Sequence, residues 1–302
     1  VRYPLNRRAF LAALAAAGVP RLHAAGKRFR YSICNELFEK WDFARSIRAM
    51  KEAGFDGVEI APFTLADDVD SVTPARRAEM RRIMAGEGVA FAGLHWLLIT
   101  PKWLHVSTGD RAVRERSWAY FHKLIDLCGD LGEGGIMVLG SPKQRGSQGN
   151  SREEATRNLK EGLASVADHA SKRKATIALE PLASKDTDVV NTLDEAVRIV
   201  SEINHPAVQS MFDFHNTPDE TEPLDAIVRK HFDRIRHVHV NEMDGRYPGT
   251  GNLDFRPVFQ ALADLKYKGW VSLEVFDFKP GPVEIARASM DYFRRLEERI
   301  RF

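Results

Sequence analysis

Eight apolar, β-branched runs alternate along this chain with eight helix-patterned stretches, and that alternation limits the fold more than any other feature. The runs fall at 29–34, 57–61, 89–97, 135–140, 176–182, 208–214, 235–240 and 270–276. Most are continuously apolar, as parallel strands covered on both faces are. Helical periodicity fills the intervals at 43–53, 74–87, 113–131, 152–172, 193–203, 224–231 and 256–265, and returns from 282 to about 299. Thr73 before Pro74, and Thr192 three residues before Glu195, read as helix N-termini, the second as a capping box. A doubly wound open sheet would also alternate. Polar residues, however, cluster at the C-terminal ends of at least six runs, which is where a closed barrel gathers them and an open sheet does not. The expected fold is α/β, a single-domain (β/α)8 TIM barrel over 27–302. A chain of 302 residues with 44% hydrophobic and 28% charged content can bury such a core.

Residues 1–26 read as an address. Arg7-Arg8-Ala9-Phe10-Leu11 leads an Ala-rich run to Val19, and Leu22-His23-Ala24 offers a small-residue cleavage site, a pattern similar to a twin-arginine export signal. The alternative is an N-terminal capping helix. The apolar run is too short to span a membrane, which takes about 20 residues. The expectation is therefore a periplasmic protein with no membrane span, its mature chain starting near Ala25. Residues 1–24 hold Arg2, Arg7, Arg8 and Arg21 and no acid, so the formal +2 of the whole chain becomes about −2 after cleavage. That balance gives no electrostatic support to a nucleic-acid partner. Cys34 and Cys128, the two cysteines, read as small buried residues rather than a disulfide.

Four of the runs end in an acid or a histidine: Glu180, Asp213, His239 and Glu274. In a parallel barrel these meet at one mouth. A single strand-end glutamate could be a salt-bridge partner, but three buried carboxylates together are costly without a cation. Two glutamates, an aspartate and a histidine are a complete ligand set for one divalent ion, and the mixed nitrogen and oxygen donors suit Mn, Co, Mg or Zn.

Leu179-Glu180-Pro181-Leu182, Asp213-Phe-His215-Asn216, His237-Val-His239-Val-Asn-Glu242 with Pro248-Gly249-Thr-Gly251, and Gly269-Trp-Val-Ser-Leu-Glu274 resemble the sugar phosphate isomerase/epimerase superfamily. This is the xylose-isomerase-like barrel group that includes the D-tagatose/D-psicose 3-epimerases. The resemblance covers nearly the whole chain from about Phe29. It implies Glu180, Asp213, His239 and Glu274 as metal ligands, with Glu180 and Glu274 also serving as acid and base. One glutamate would remove a proton next to a carbonyl, and the other would return it from the opposite face.

Other residues are expected to hold the sugar. Lys143 and Arg145 follow the fourth run in Gly140-Ser-Pro-Lys143-Gln-Arg145, as substrate contacts or as a solvated basic loop. His95, after the third run, is either a substrate contact or a buried core histidine, and Glu59 is a candidate for positioning a ring. His215 follows Asp213 and is expected at the same mouth, while Glu242 and Arg246 match positions that contact substrate or support the metal. His237 shares a strand face with His239. Trp41, Phe63, Trp96 and Trp103 are sugar-stacking or core aromatics. After Glu180-Pro-Leu the epimerases commonly continue Asn-Arg, whereas this chain reads Ala183-Ser184-Lys185-Asp186, keeping an acid one methylene shorter.

The expected activity is a metal-dependent sugar isomerase or 3-epimerase, with a small-molecule carbohydrate as partner and a homo-oligomer left open. A keto-glycoside lyase using the same site is the first rival. An endonuclease IV-like hydrolase is less favoured, because His95, His105, His122, His169 and His205 do not reproduce its motif pattern. A non-catalytic carbohydrate-binding barrel is the third alternative.

Overall fold

The computed structural model describes residues 29–302, so the segment read as an export signal lies outside the described residues. Eight strands form a closed, all-parallel barrel in sequence order. They are β1 (Arg30–Cys34), β2 (Gly57–Ile60), β3 (Ala90–Leu94), β4 (Ile136–Leu139), β5 (Thr176–Leu179), β6 (Val208–Asp213), β7 (Ile235–Val240) and β8 (Trp270–Leu273). Closure is made by β1 against β8, where Tyr31 pairs with Val271 and Ile33 with Leu273. The helices are α1 (Phe43–Ala53), α2 (Pro74–Glu87), α3 (Arg111–Leu131), α4 (Arg152–Lys172), α5 (Leu193–Ile203), α6 (Leu224–His231), α7 (Arg256–Asp264) and α8 (Pro282–Glu297). Among the described residues no helix is long and apolar enough to cross a membrane.

Each helix buries the stripe its sequence spacing prescribes. In α1, Phe43, Ser46, Ile47, Met50 and Ala53 are buried, a spacing of three and four residues that lines one face. Thr73 caps α2 through the Arg76 amide at 3.2 Å, and Thr192 caps α5 through the Glu195 amide at 3.2 Å. The Glu195 carboxylate in turn accepts the Asn191 amide at 2.7 Å.

Three strands stop three residues before the apolar runs that mark them end. β3 stops at Leu94 because Trp96 turns into the left-handed region at φ 50°. β5 stops at Leu179, since Pro181 has no amide to give the ladder. β8 stops at Leu273. The backbone of the next residue still follows the barrel in all three cases: His95 N donates to Ile60 O at 3.1 Å, Glu180 N to Leu139 O at 3.3 Å, and Glu274 N to Val240 O at 3.4 Å. Both glutamates are thus held by the sheet although they lie past its last ladder residue.

Candidate metal centre and active site

The barrel presents Glu180 just after β5, Asp213 at the end of β6, His239 near the end of β7 and Glu274 just after β8. One donor atom from each lies within 4.8 Å of the others, and all four residues are buried. The Asp213–His239 and His239–Ser272 register pairs set the vertical alignment of three of these strands. A register irregularity between Ser210 and Phe212 precedes Asp213, and another lies between Val58 and Glu59. Such bulges re-aim side chains near sites.

Partners orient each of the four side chains. His239 gives its Nε2 edge to Glu59, with Oε2 at 3.1 Å and Oε1 at 3.2 Å, while His237 Nε2 meets Glu59 Oε2 at 2.8 Å. That leaves His239 Nδ1 facing the cluster, 3.0 Å from Glu274 Oε2 and 3.8 Å from Glu180 Oε1. A carboxylate on the far nitrogen is how a metal-binding histidine is usually held in its ligating tautomer. Asn216 Nδ2 donates to Asp213 Oδ2 at 2.6 Å and lies 3.4 Å from Glu180 Oε1. Gly140 leaves the space Glu180 occupies, since a Cβ there would fall 2.1 Å from Oε2.

The charges show what the cluster lacks. Burial, with Asp213 and Glu274 adding repulsion, pushes the Glu180 carboxyl well above its ordinary range. Burial and Glu274 push Asp213 up to about 6. Burial acts on Glu274 in the same direction, but His239 and His95 more than offset it and hold it at about 2. Three acids that cannot all ionise beside one another, and a buried His239 Nδ1 without a well-directed hydrogen bond, are what a divalent ion would complete. The residues therefore fit the expected cation.

Above the four lies a cavity of about 220 Å³ lined by Trp96, Val138, Gly140, Ser141, Pro142, Glu180, Leu182, Asp186, His215, Asn216, Glu274 and Phe276. Drug-sized ligand sites run to roughly 300–1,000 Å³, so this one suits a ligand near monosaccharide size. Trp96 and Ser141 both line it in left-handed backbone conformation, at φ 50° and 51°. Non-glycine residues adopt that region at a cost of order 1 kcal/mol, and such strain gathers at functional sites.

Residues 47–296 match the family described as a xylose isomerase-like TIM barrel. This chain belongs to that family. Its relatives include a D-psicose 3-epimerase of Enterocloster bolteae, 35% identical over 133 residues that make up 44% of this chain and 42% of that one. The 3-dehydro-D-guloside 4-epimerase of Escherichia coli (strain K12) is 24% identical over 274 residues, 86% of this chain and 97% of that one. The apo crystal structure of an E. coli 3-keto-D-glucoside 4-epimerase superposes with a TM-score of 0.77 at 21% identity, covering 88% of this chain and 99% of that one. These relatives are epimerases, which are isomerase-class enzymes.

Within this xylose isomerase-like barrel, the residues expected to hold the substrate fall into three groups. Asp186 and His215 line the cavity with Glu180 and Glu274. His95 and Glu242 lie inside the protein, outside the cavity wall. His95 is fully buried between Glu36 and Glu274. The Glu242 carboxylate accepts the amides of Gly249 at 2.9 Å and Leu253 at 3.3 Å, and so organises the loop after β7. Lys143 and Arg246 point to solvent, the latter paired with Asp244 at 2.7 Å. Of the candidate aromatics, Trp96 faces the cavity, while Arg45 covers the Trp41 ring and Arg116 that of Trp103. His122 and His169 pair with each other, and His205 pairs with Asp168; none of the three enters the cluster.

Two contributors escape a reading of motifs alone. Phe276 walls the cavity beside His215, with ring centroids 4.9 Å apart. Glu36 follows β1 and reaches His95. The rule that picked out the other acids, a polar residue just past a strand, would have found it had it been applied to the first strand.

Proposed function

We propose that this chain is a divalent-metal-dependent sugar epimerase that works by removing and returning a proton next to a carbonyl. The observation that carries the reading is the placement of Glu180 and Glu274 at the two ends of a four-strand arc, with Asp213 and His239 between them and the cavity above. A divalent ion held by these four residues would polarise the substrate carbonyl and stabilise the enediolate formed when the proton leaves.

The chain's own residues do the rest. Whichever glutamate faces the hydrogen takes it as a carboxylate, and the other delivers a proton to the opposite face, which inverts that carbon. Delivery to the neighbouring carbon instead would exchange aldose for ketose, so the two outcomes share one site. Asp186 and His215 would hold sugar hydroxyls, and Trp96 with Phe276 would cover the apolar face of the ring and keep water off the enediolate. His215 is itself fixed, its amide donating to Asp213 Oδ1 at 2.9 Å and its Nδ1 lying 3.2 Å from Glu242 O.

The names of the E. coli relatives point toward oxidised glycosides as one substrate group to test. A second reading follows from the mouth: Phe276 is 40% exposed although it lines the cavity, leaving an aromatic surface for a second ring. On a keto-glycoside the same enediolate could expel that ring as a β-substituent, which would make the enzyme a lyase.

The deciding experiment loads the protein with Mn, Co, Zn or Mg and follows solvent deuterium into free and glycosylated keto-sugars. Exchange next to the carbonyl, lost in Glu180→Gln and Glu274→Gln with the fold intact, is the expected result. Release of aglycone without epimer would establish the lyase reading, and absence of exchange on every sugar would sink both.

A further inference from the structure

Behind Glu274 lies a second carboxylate that the reaction does not use directly. Glu36 sits in the 3-10 turn Asn35–Phe38 that follows β1, and it is 6% exposed. Asn35 pins the turn, accepting the Ala61 amide at 2.7 Å and donating to Thr64 Oγ1 at 2.8 Å. Neither Glu36 oxygen accepts a well-directed hydrogen bond, and its close polar contact is His95 Nε2 at 2.9 Å. His95 is fully buried and turns its other nitrogen to Glu274, with Nδ1 at 3.2 Å from Oε1. One imidazole thus bridges two carboxylates through opposite edges. Glu274 in turn divides its oxygens, Oε1 toward His95 and Oε2 toward His239.

Glu180 has no imidazole behind it of that kind, although the buried Arg145 guanidinium acts on its charge from beyond hydrogen-bond distance. Its nearest side-chain donors are Asn216 at 3.4 Å and His239 at 3.8 Å, and Gly140 supplies only room. We infer that Glu36 and His95 form a positioning dyad for Glu274, locking one carboxylate of the reacting pair while leaving the other freer to move. This inference rests on the proton-transfer reading above. A carboxylate with one oxygen fixed by His95 and the other turned to the cluster keeps a single orientation, which a base aimed at one C–H needs.

Cys34 lies close enough to Glu36, His95 and Glu274 to suggest a second cation. The geometry argues otherwise, because the two carboxylates sit on opposite nitrogens of His95 and one ion could bind only one of those edges.

The test compares wild type, Glu36→Gln, Glu36→Asp and His95→Gln, each loaded with metal. With the dyad broken, turnover should fall about 10–100-fold, as it does when the partners of ligating groups are removed, with KM changed much less and metal content still one ion per chain. Glu36→Asp should fall in between, which keeps the comparison usable should Glu36→Gln not fold.

A readout specific to one face separates positioning from general damage. Beginning with the epimer whose hydrogen faces Glu180, a loosened Glu274 delivers slowly. Glu180 then returns solvent deuterium to the same face, and the ratio of labelled substrate to product rises. Beginning with the other epimer, that ratio should not rise. Equal loss in both directions with unchanged ratios, wild-type turnover in Glu36→Gln, or a second bound ion that disappears in Glu36→Gln would overturn the dyad. An inactive wild type would instead bring down the proton-transfer reading itself.

Discussion

The two halves of the barrel interior are built from opposite chemistry, although they hold one site between them. Under Glu180, β4, β5 and β6 contribute Ile136, Val138, Ala178 and Met211, which form a small apolar cluster of their own. Beside Glu274 and His239, the strands β1, β2, β7 and β8 bury Ser32, Cys34, Glu59, His237 and Ser272. The same residue type therefore meets different fates at either end of the arc. Glu180 stands over the apolar half with its carboxyl pushed well up, whereas Glu274 is held at about 2 by the two histidines against it. The comparison teaches that one glutamate is held in its charged form by the two histidines against it, while burial and acidic neighbours push the other toward its neutral form.

The largest test of that contrast removes each carboxylate in turn. Glu180→Gln and Glu274→Gln should each lower turnover by about 10²–10⁴-fold, the usual contribution of a positioned acid or base. Their stabilities should part company. In metal-free protein Glu274→Gln removes one of the carboxylates that His95 and His239 each face, and should cost up to about 3 kcal/mol. Glu180→Gln relieves a crowded acid but also takes an anion from the buried Arg145, so it should cost less than Glu274→Gln. Thermal melts of both variants with and without metal check this, and equal destabilisation would erase the distinction between the halves.

Acid dependence gives a somewhat smaller effect of the same kind. Asp213 titrates at about 6 in the ion-free fold, above the roughly 3.9 of an unfolded aspartate. Raised in the folded state, it favours the fold below about pH 4, and that advantage is lost as pH climbs through 6. Asp213→Asn should therefore match wild type near pH 4 and exceed it at pH 7, by on the order of 2–3 kcal/mol. Saturating metal should reverse the order at pH 7, since the variant loses a ligand. Denaturant unfolding at the two pH values, run with and without metal, measures both signs.

The sequence made the barrel and the four cluster residues readable for the same physical reason. Period and strand-end polarity are local, so Glu180 after Leu179 and Glu274 after Leu273 reveal themselves one run at a time. What local pattern cannot carry is the other end of a contact across the lumen. Glu59 on β2 meets His239 on β7, partners that barrel closure brings together, and Glu36 after β1 meets His95 after β3 across the intervening β2. Arg145 illustrates the same limit. It belongs to a basic loop that reads either as substrate-contacting or as solvated; the structure splits the loop, with Arg145 fully buried and its neighbour Lys143 exposed.

A narrower test sits in the polar half. Glu59 holds His239 by Nε2 so that Nδ1 faces the cluster, and its carboxyl is kept well below the usual range by His237 and His239 against the opposing effect of burial. Glu59→Gln should weaken metal binding about 10–100-fold, read by calorimetric titration. An unchanged affinity would mean the histidine needs no such support.

The smallest effects belong to the rim, where the structure divides residues that the sequence grouped together. Asp186→Asn and His215→Asn should raise KM several-fold, because both side chains face the cavity and a lost hydrogen bond to a sugar hydroxyl is worth about 0.5–1.5 kcal/mol. Arg246→Ala and Lys143→Ala should change KM less than about twofold. The first loses only an exposed pair with Asp244, and the second a lysine that faces solvent, interactions of little worth in water. Steady-state kinetics on the four variants ranks them directly. Should Lys143→Ala or Arg246→Ala instead raise KM as much as Asp186→Asn, the loops after β4 and β7 must fold over the bound sugar, and the cavity between the two halves would be a site that closes on its substrate.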